Sequence, residues 1–138
     1  MLLDTHVWIW LTTDEPRRLG PKIRRQLARP AGRTALSVST SSIFEIAALH
    51  VAGRLHFTQP IEGWIRESIA RTGFRVLELE TNIAIDAGVI PSQALADPID
   101  RVLVATAREY RIPLATCDRR ILDYASRTGL VRVIDASV

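Results

Sequence analysis

Short apolar runs alternate along the chain with longer segments in which apolar residues recur at helical spacing. The short runs predict β-strands, because strands need only a few residues that are apolar or alternate. Helical spacing is clearest at 61–72, where Ile61, Trp64, Ile65 and Ile69 share one stripe, and at 98–110. Turn-forming residues separate these segments. The predicted strands are 1–3, 34–38, 75–79, 114–117 and 132–134.

The order of these elements is β-α-α-β-α-α-β-α-α-β-α-β. Strands that alternate with helices pair in parallel through right-handed crossovers, which place helices on both faces of the sheet. We therefore expect a three-layer α/β/α fold around a central, mainly parallel sheet of about five strands. Ligands bind such folds at the carboxyl ends of the strands.

Length and composition limit the class of protein. The 138 residues fit a single domain spanning 1–138, and 47% apolar with 24% charged residues is unlike a disordered or fibrous chain. No secretory signal and no run of membrane-spanning length occur, so a cytoplasmic protein without a membrane partner is expected. One cysteine, Cys117, excludes an internal disulfide.

The charge balance does not identify a partner. The net charge is +3, which is too small to indicate a polyanionic ligand. Of the 18 basic residues, 17 are arginine, a side chain suited to phosphate binding, but a genome rich in arginine codons would produce the same bias.

Five acids stand where such a fold could bring them together. Asp4 follows the first apolar run and Asp118 follows the run at 114–117, so both lie at predicted carboxyl ends of strands. Carboxylates at such short distances would repel one another unless a hard divalent cation lay among them. The pattern therefore predicts an Mg²⁺ site, in which Mn²⁺ can substitute, formed by Asp4, Glu45, Asp97, Asp100 and Asp118.

Helix capping offers another explanation for several of these acids. Asp4 and Asp118 could each be the N-cap of a following helix. Glu45 stands three residues after Ser42, as in a capping box, but a helix that starts near Ser39 would instead turn Glu45 inward. Both roles stay open for these residues.

The Asp97-Pro98-Ile99-Asp100 segment has the sharpest local pattern. Pro98 suits the first position of a helix with Asp97 as its N-cap, and Asp97 could equally be a ligand. Asp100 lies on the same face and opens a run that is apolar nearly all round. Capping does not explain an acid there, whereas a metal ion would.

Four segments, taken in order, resemble the PIN-domain ribonucleases and, within them, the VapC-type toxins of type II toxin–antitoxin systems. The segments cover most of the chain: LLDTHVWIW at 2–10, STSSIFEIA at 39–47, DPIDRVLVATA at 97–107 and LATCD at 114–118. The resemblance implies a PIN-like fold and an Mg²⁺- or Mn²⁺-dependent ribonuclease. We expect it to be an endoribonuclease. It also implies a homodimer, an RNA substrate and a cognate VapB-like antitoxin.

The same resemblance implies roles for individual residues. Asp4, Glu45, Asp100 and Asp118 take the positions of the metal-binding and catalytic acids, and Asp97 that of an accessory acid. Thr5 and Thr116 take hydroxyl positions near the metal, although threonine is also common at strand ends. Leu49 and Leu95 replace a lysine and a histidine that many relatives carry, so RNA specificity cannot be transferred.

The residues fit two other Mg²⁺-dependent classes less well. A phosphotransfer receiver needs a lysine at a late strand end, and the one lysine here is Lys22; a haloacid-dehalogenase phosphatase needs Asp-x-Asp, where this chain has Asp4-Thr5-His6. A non-catalytic PIN-like module that binds RNA or protein stays an alternative. The apolar segment 7–11 is predicted to be either wholly buried or partly covered by another chain.

Overall fold

Five parallel strands form the centre of the fold in a computed structural model that describes residues 1–13, 15–29 and 36–138. Their spatial order is β3-β2-β1-β4-β5, so β1 lies between β2 and β4. The strands are β1 Leu2–Leu3, β2 Ser37–Ser39, β3 Arg75–Leu77, β4 Leu114–Thr116 and β5 Val133–Asp135.

Seven α-helices connect and flank these strands in the described part of the chain. The sequence of elements agrees with the predicted order, with one short 3₁₀ turn, Pro16–Arg18, added after the first helix. The helices are α1 Thr5–Thr12, α2 Pro21–Ala28, α3 Thr40–Val51, α4 Ile61–Thr72, α5 Thr81–Val89, α6 Pro98–Glu109 and α7 Arg119–Thr128.

The bounds of the strands differ from the prediction where pairing stops. β2 occupies Ser37–Ser39 and not 34–38; residues 34 and 35 lie outside the described part of the chain. β3 ends at Leu77, which pairs with Ser39, and the Leu79 N–H donates to Thr40 Oγ1 instead of a strand partner. β4 ends at Thr116, which is its last residue paired with β5. β5 ends at Asp135, one residue later than predicted.

The core lies on both faces of the sheet, because neighbouring residues of a strand point to opposite sides. Leu3 and Ala115 belong to one cluster with Trp8 and residues of α1, α2 and α4. Leu2 and Leu114 belong to a second cluster with residues of α6 and α7. The three-layer α/β/α architecture is therefore confirmed.

The apolar segment at the start of α1 is mostly core. Val7, Trp8 and Ile9 are buried, whereas Trp10 and Leu11 are half-buried. No helix among the described residues is both long and apolar enough to span a bilayer.

Candidate metal centre

The carboxyl ends of β1 and β4 meet through one threonine. Asp4 follows β1, Thr116 ends β4, and both side chains are buried. Thr116 Oγ1 donates to Asp4 Oδ2 at 2.5 Å and accepts from the backbone N–H of Asp118 at 3.0 Å. The hydroxyl therefore holds the two predicted strand-end acids beside each other.

The capping question has a different answer for Asp4 and for Asp118. Asp4 occupies the N-cap position of α1, but its side chain makes no capping hydrogen bond and turns to Thr116 instead. Asp118 Oδ1 accepts from the N–H of Arg120 at 2.8 Å, so this acid is a true N-cap of α7. Its second oxygen has no hydrogen-bond partner among the described residues.

Glu45 comes to the site from α3. The helix begins at Thr40, and its N-cap is Ser39, whose Oγ accepts from the N–H of Ser41 at 3.1 Å. The capping box of Ser42 and Glu45 is thus wrong, because Ser39 ends a strand in extended conformation and caps the helix three residues earlier. Glu45 falls in the second turn and is half-buried, facing Asp4.

Asp97 and Asp100 open α6. Asp97 Oδ1 accepts from the N–H of Ile99 at 2.8 Å, which confirms the predicted cap. Asp100, less than one turn later, is only 8% exposed. No side-chain hydrogen bond reaches its carboxyl group from the described residues, so burial there is not offset by a donor.

The five acids form one electrostatic group. Burial raises the pKa of Asp100 to about 8, and the charges of Asp97, Asp4, Asp118 and Glu45 add to the rise. Burial also raises the pKa of Asp4, although the Thr116 hydrogen bond opposes this. The pKa of Glu45 is raised by burial and then by the charge of Asp4.

Two neighbours of the acids, Ser42 and His6, were not among the predicted site residues. Thr5 Oγ1, fully buried, donates to Ser42 Oγ at 2.9 Å, so Ser42 joins α3 to α1 beside Glu45. Its position three residues before Glu45, on the same helix face, was the available signal. His6 is exposed, yet its charge lowers the pKa of both Asp4 and Glu45, which places its ring at the rim of the cluster.

The chemistry of these donors fits a hard divalent cation. All five are carboxylates, and oxygen is the donor that Mg²⁺ prefers. As the side chains stand, the described residues contain no group of three or more His, Cys, Asp or Glu placed closely enough to hold a metal ion together. Mg²⁺ is commonly held through one or two carboxylates and several waters, so a closed set of protein ligands is not required.

The family is decided by comparison with known sequences. A model of the PIN domain matches residues 1–127. The chain belongs to the PIN-domain family. Over 121 residues this PIN domain is 31% identical to Ribonuclease VapC22 of Mycobacterium tuberculosis (strain ATCC 25618 / H37Rv). The aligned residues make up 88% of each of the two chains. The predicted resemblance to PIN-domain, VapC-type proteins is confirmed.

Solved structures of distant sequence share the fold of this PIN domain. A DNA-bound VapBC complex from Salmonella typhimurium matches with a TM-score of 0.68 at 18% identity, over 96% of this chain and 95% of that one. VapBC2 from Rickettsia felis, bound to a promoter DNA fragment, matches with a TM-score of 0.67 at 10% identity, over 96% of both chains. At these identities the likeness supports the fold alone.

Proposed function

We propose that the chain is an Mg²⁺- or Mn²⁺-dependent endoribonuclease and the toxin of a toxin–antitoxin pair. The observation that carries this proposal is the convergence of five acids from four chain segments into one group around the buried Asp100. Such a group costs folding free energy and is explained by the ion that it would bind. The 31% identity to a protein named as a ribonuclease supports RNA as the substrate.

We propose roles for the individual acids. Asp4, Asp100 and Asp118 would hold the cation directly or through water, and Glu45 would bind it or orient the attacking water. A bound divalent cation lowers the pKa of a coordinated water and offsets the charge that develops on the cleaved phosphate. Asp97 would add negative charge to the site while it caps α6.

The two threonines would position the acids. Thr116 orients Asp4 through its hydroxyl hydrogen, and Thr5 contacts Ser42 from the base of α1. A buried, hydrogen-bonded carboxylate loses rotational freedom before the cation arrives, which favours binding.

The test is cleavage of a mixed RNA panel by the purified chain, freed of any antitoxin, with Mg²⁺ or Mn²⁺ and with EDTA. Asp100→Asn keeps the size of the side chain and removes its charge, and we expect it to lower cleavage at least 100-fold. Asp123→Asn is the matched control, since Asp123 is an exposed acid on α7. Activity that survives in EDTA or in Asp100→Asn contradicts the proposal.

An antitoxin partner is proposed from a cavity between α1, α2 and α4. The cavity has a volume of about 390 Å³, and half of its lining side chains are apolar and half are polar or charged: Leu11, Leu27, Leu36 and Phe74, and Thr12, Ser68, Arg71 and Thr72. Solved relatives of the same fold are toxin–antitoxin complexes. We expect the product of a small neighbouring gene to bind here and to inhibit cleavage; Thr72→Trp, which fills the cavity, should weaken that inhibition.

A homodimer is proposed from α3 and α5. Every exposed residue of these two helices is uncharged, and Phe44, Val51, Ile85 and Val89 are large apolar side chains with 58–85% exposure. Exposed positions without charge let two copies of a net-positive chain approach without direct charge repulsion at those positions. Light scattering after gel filtration should show a dimer that Val89→Asp dissociates and that Leu130→Asp, on another face, leaves intact.

A further inference from the structure

Trp10 differs from the other tryptophans in its surroundings. Trp8 is fully buried and Trp64 is 9% exposed, and their rings pack together in the core. Trp10 is half-buried, with part of its indole at the surface. Its immediate neighbours there are one imidazole and one guanidinium group.

These three side chains contact one another at the surface, with the two rings inclined to each other and the guanidinium group over the indole. The His6 and Trp10 rings lie with centroids 5.8 Å apart and an interplanar angle of 51°. The Arg18 guanidinium carbon lies 5.7 Å from the centroid of the Trp10 ring, and Arg18 is held there by an ion pair with Glu15. His6 and Arg18 are both exposed. We call this surface the His6–Trp10–Arg18 platform.

The platform begins at the rim of the acidic cluster. His6 is two residues after Asp4 on α1 and is close enough to influence the pKa values of Asp4 and Glu45. Trp10 lies one turn further, about 6 Å along the helix axis. A strand of RNA whose phosphate reached the acids would therefore pass the platform with a neighbouring nucleotide.

We propose that the His6–Trp10–Arg18 platform binds an unpaired nucleobase of the RNA next to the phosphate that is cut. Single-stranded bases stack on aromatic rings and on arginine planes, and Arg18 supplies positive charge for the backbone. A packing role alone does not require an imidazole and a guanidinium group at the surface next to a partly exposed indole. The inference rests on the proposed ribonuclease function, but its test does not depend on cleavage.

The test uses tryptophan fluorescence in the full-length Asp100→Asn protein, which is not expected to cut. Short single-stranded RNA oligonucleotides are added in the presence of Mg²⁺. Because Trp8 and Trp64 are in the core, quenching by a stacked base should come from Trp10. Trp10→Phe in the same background should abolish the quenching and leave the remaining core fluorescence unchanged.

Affinity provides the second readout. Loss of one base-stacking contact weakens binding roughly 5- to 100-fold, so we expect Trp10→Leu to raise the Kd, and the KM of the active chain, within that range. Arg18→Ala should also weaken binding. Arg66→Ala is the matched control, because Arg66 is likewise exposed and paired with a glutamate, Glu62, in its own helix. Folding of each variant is checked by its thermal unfolding.

The possible outcomes separate this inference from the proposed function. Quenching at Trp10 by RNA, with no cutting by the unmodified chain, supports base binding at the platform and contradicts the ribonuclease proposal and with it the position next to a cut phosphate. Cutting without quenching at Trp10, or equal effects of Arg18→Ala and Arg66→Ala, overturns the platform alone. Quenching by the antitoxin and not by RNA also overturns it and assigns the surface to a protein interface.

Discussion

Thr116 illustrates how single side chains organise the site. It is fully buried, and its hydroxyl both donates to Asp4 and accepts from the backbone of Asp118. Removing the hydroxyl would leave a buried carboxylate oxygen and a backbone N–H without their partner. The cost of such unpaired groups exceeds the value of the bonds themselves.

We therefore expect Thr116→Val, which keeps the side-chain shape, to lower the free energy of unfolding by about 2–3 kcal/mol. Thr116→Ser keeps the hydroxyl and should therefore retain most of the free energy of unfolding. Thr106→Val is the control, because the buried Thr106 hydroxyl bonds only to Val102 within its own helix. Urea unfolding measures the free energy of unfolding of all three variants. Equal losses in Thr116→Val and Thr106→Val would show that the hydrogen bonds of Thr116 between β1 and β4 add no stability.

Asp100 is expected to be unfavourable for folding when no metal is bound. Its carboxyl group is buried among four other acids, and burial and repulsion raise its pKa to about 8. Asp100→Asn should therefore raise the Tm of the metal-free protein by about 3–8 °C at pH 8, and remove most of the further rise that Mg²⁺ produces in the unmodified chain. A lower Tm for metal-free Asp100→Asn would contradict this account; Asp123→Asn controls for the loss of one charge.

The helices end where local sequence demands it. Gly73 and Gly129 follow α4 and α7 with φ of 69° and 65°, a left-handed conformation that costs little without a Cβ. Gly63 stands in the first turn of α4, where an added Cβ would meet only Gln59 Oε1 at an ordinary 3.7 Å.

The two glycines of α4 should respond to alanine in opposite directions. Gly63→Ala should stabilise the protein by about 0.5–1 kcal/mol, since alanine loses less backbone entropy in a helix. Gly73→Ala should destabilise it by about 1 kcal/mol, because the φ of 69° then carries a steric cost. Thermal unfolding of both variants measures this, and a shift of the same sign in both would contradict it.

Much of this organisation of elements was predictable from the sequence. Strand and helix order followed from hydrophobic spacing and turn residues, because those signals are local. The exact strand ends were not, since they depend on where a partner strand stops: β3 ends at Leu77 because its partner ends at Ser39. The start of α3 was left open between Ser42 and a position near Ser39, and the end of β2 at Ser39 decides it.

On the scale of the whole molecule, the acidic cluster links stability to pH and to metal. The pKa of Asp100 rises from 3.8 to about 8 on folding, so between these values the folded protein holds a proton that the unfolded chain has lost. The free energy of unfolding must then fall as the pH rises through this window. The raised pKa values of Asp4 and Glu45 act in the same direction.

We expect the Tm of the metal-free protein to decrease from pH 5.5 to pH 8, and saturating Mg²⁺ to reduce that decrease. Binding should also release protons, because the cation replaces them on the carboxylates. Titration calorimetry in two buffers of different ionisation enthalpy measures the release. A Tm that rises over this pH range without metal, or binding without proton release, would contradict the linkage; Asp100→Asn should weaken both effects.

The sequence by itself determined the class of fold, the order of its elements and the identity of the acids, because hydrophobic period, turn chemistry and residue type are all local properties. It left open whether each acid capped a helix or faced a ligand. Only the tertiary structure decided which acids cap a helix and which lie near one another, by placing Thr116 between Asp4 and Asp118 and by burying Asp100 near four other charges. The surface formed by His6, Trp10 and Arg18 likewise depends on how the 3₁₀ turn folds back on α1. Distances between segments far apart in the chain are set by packing, and residue spacing does not encode them.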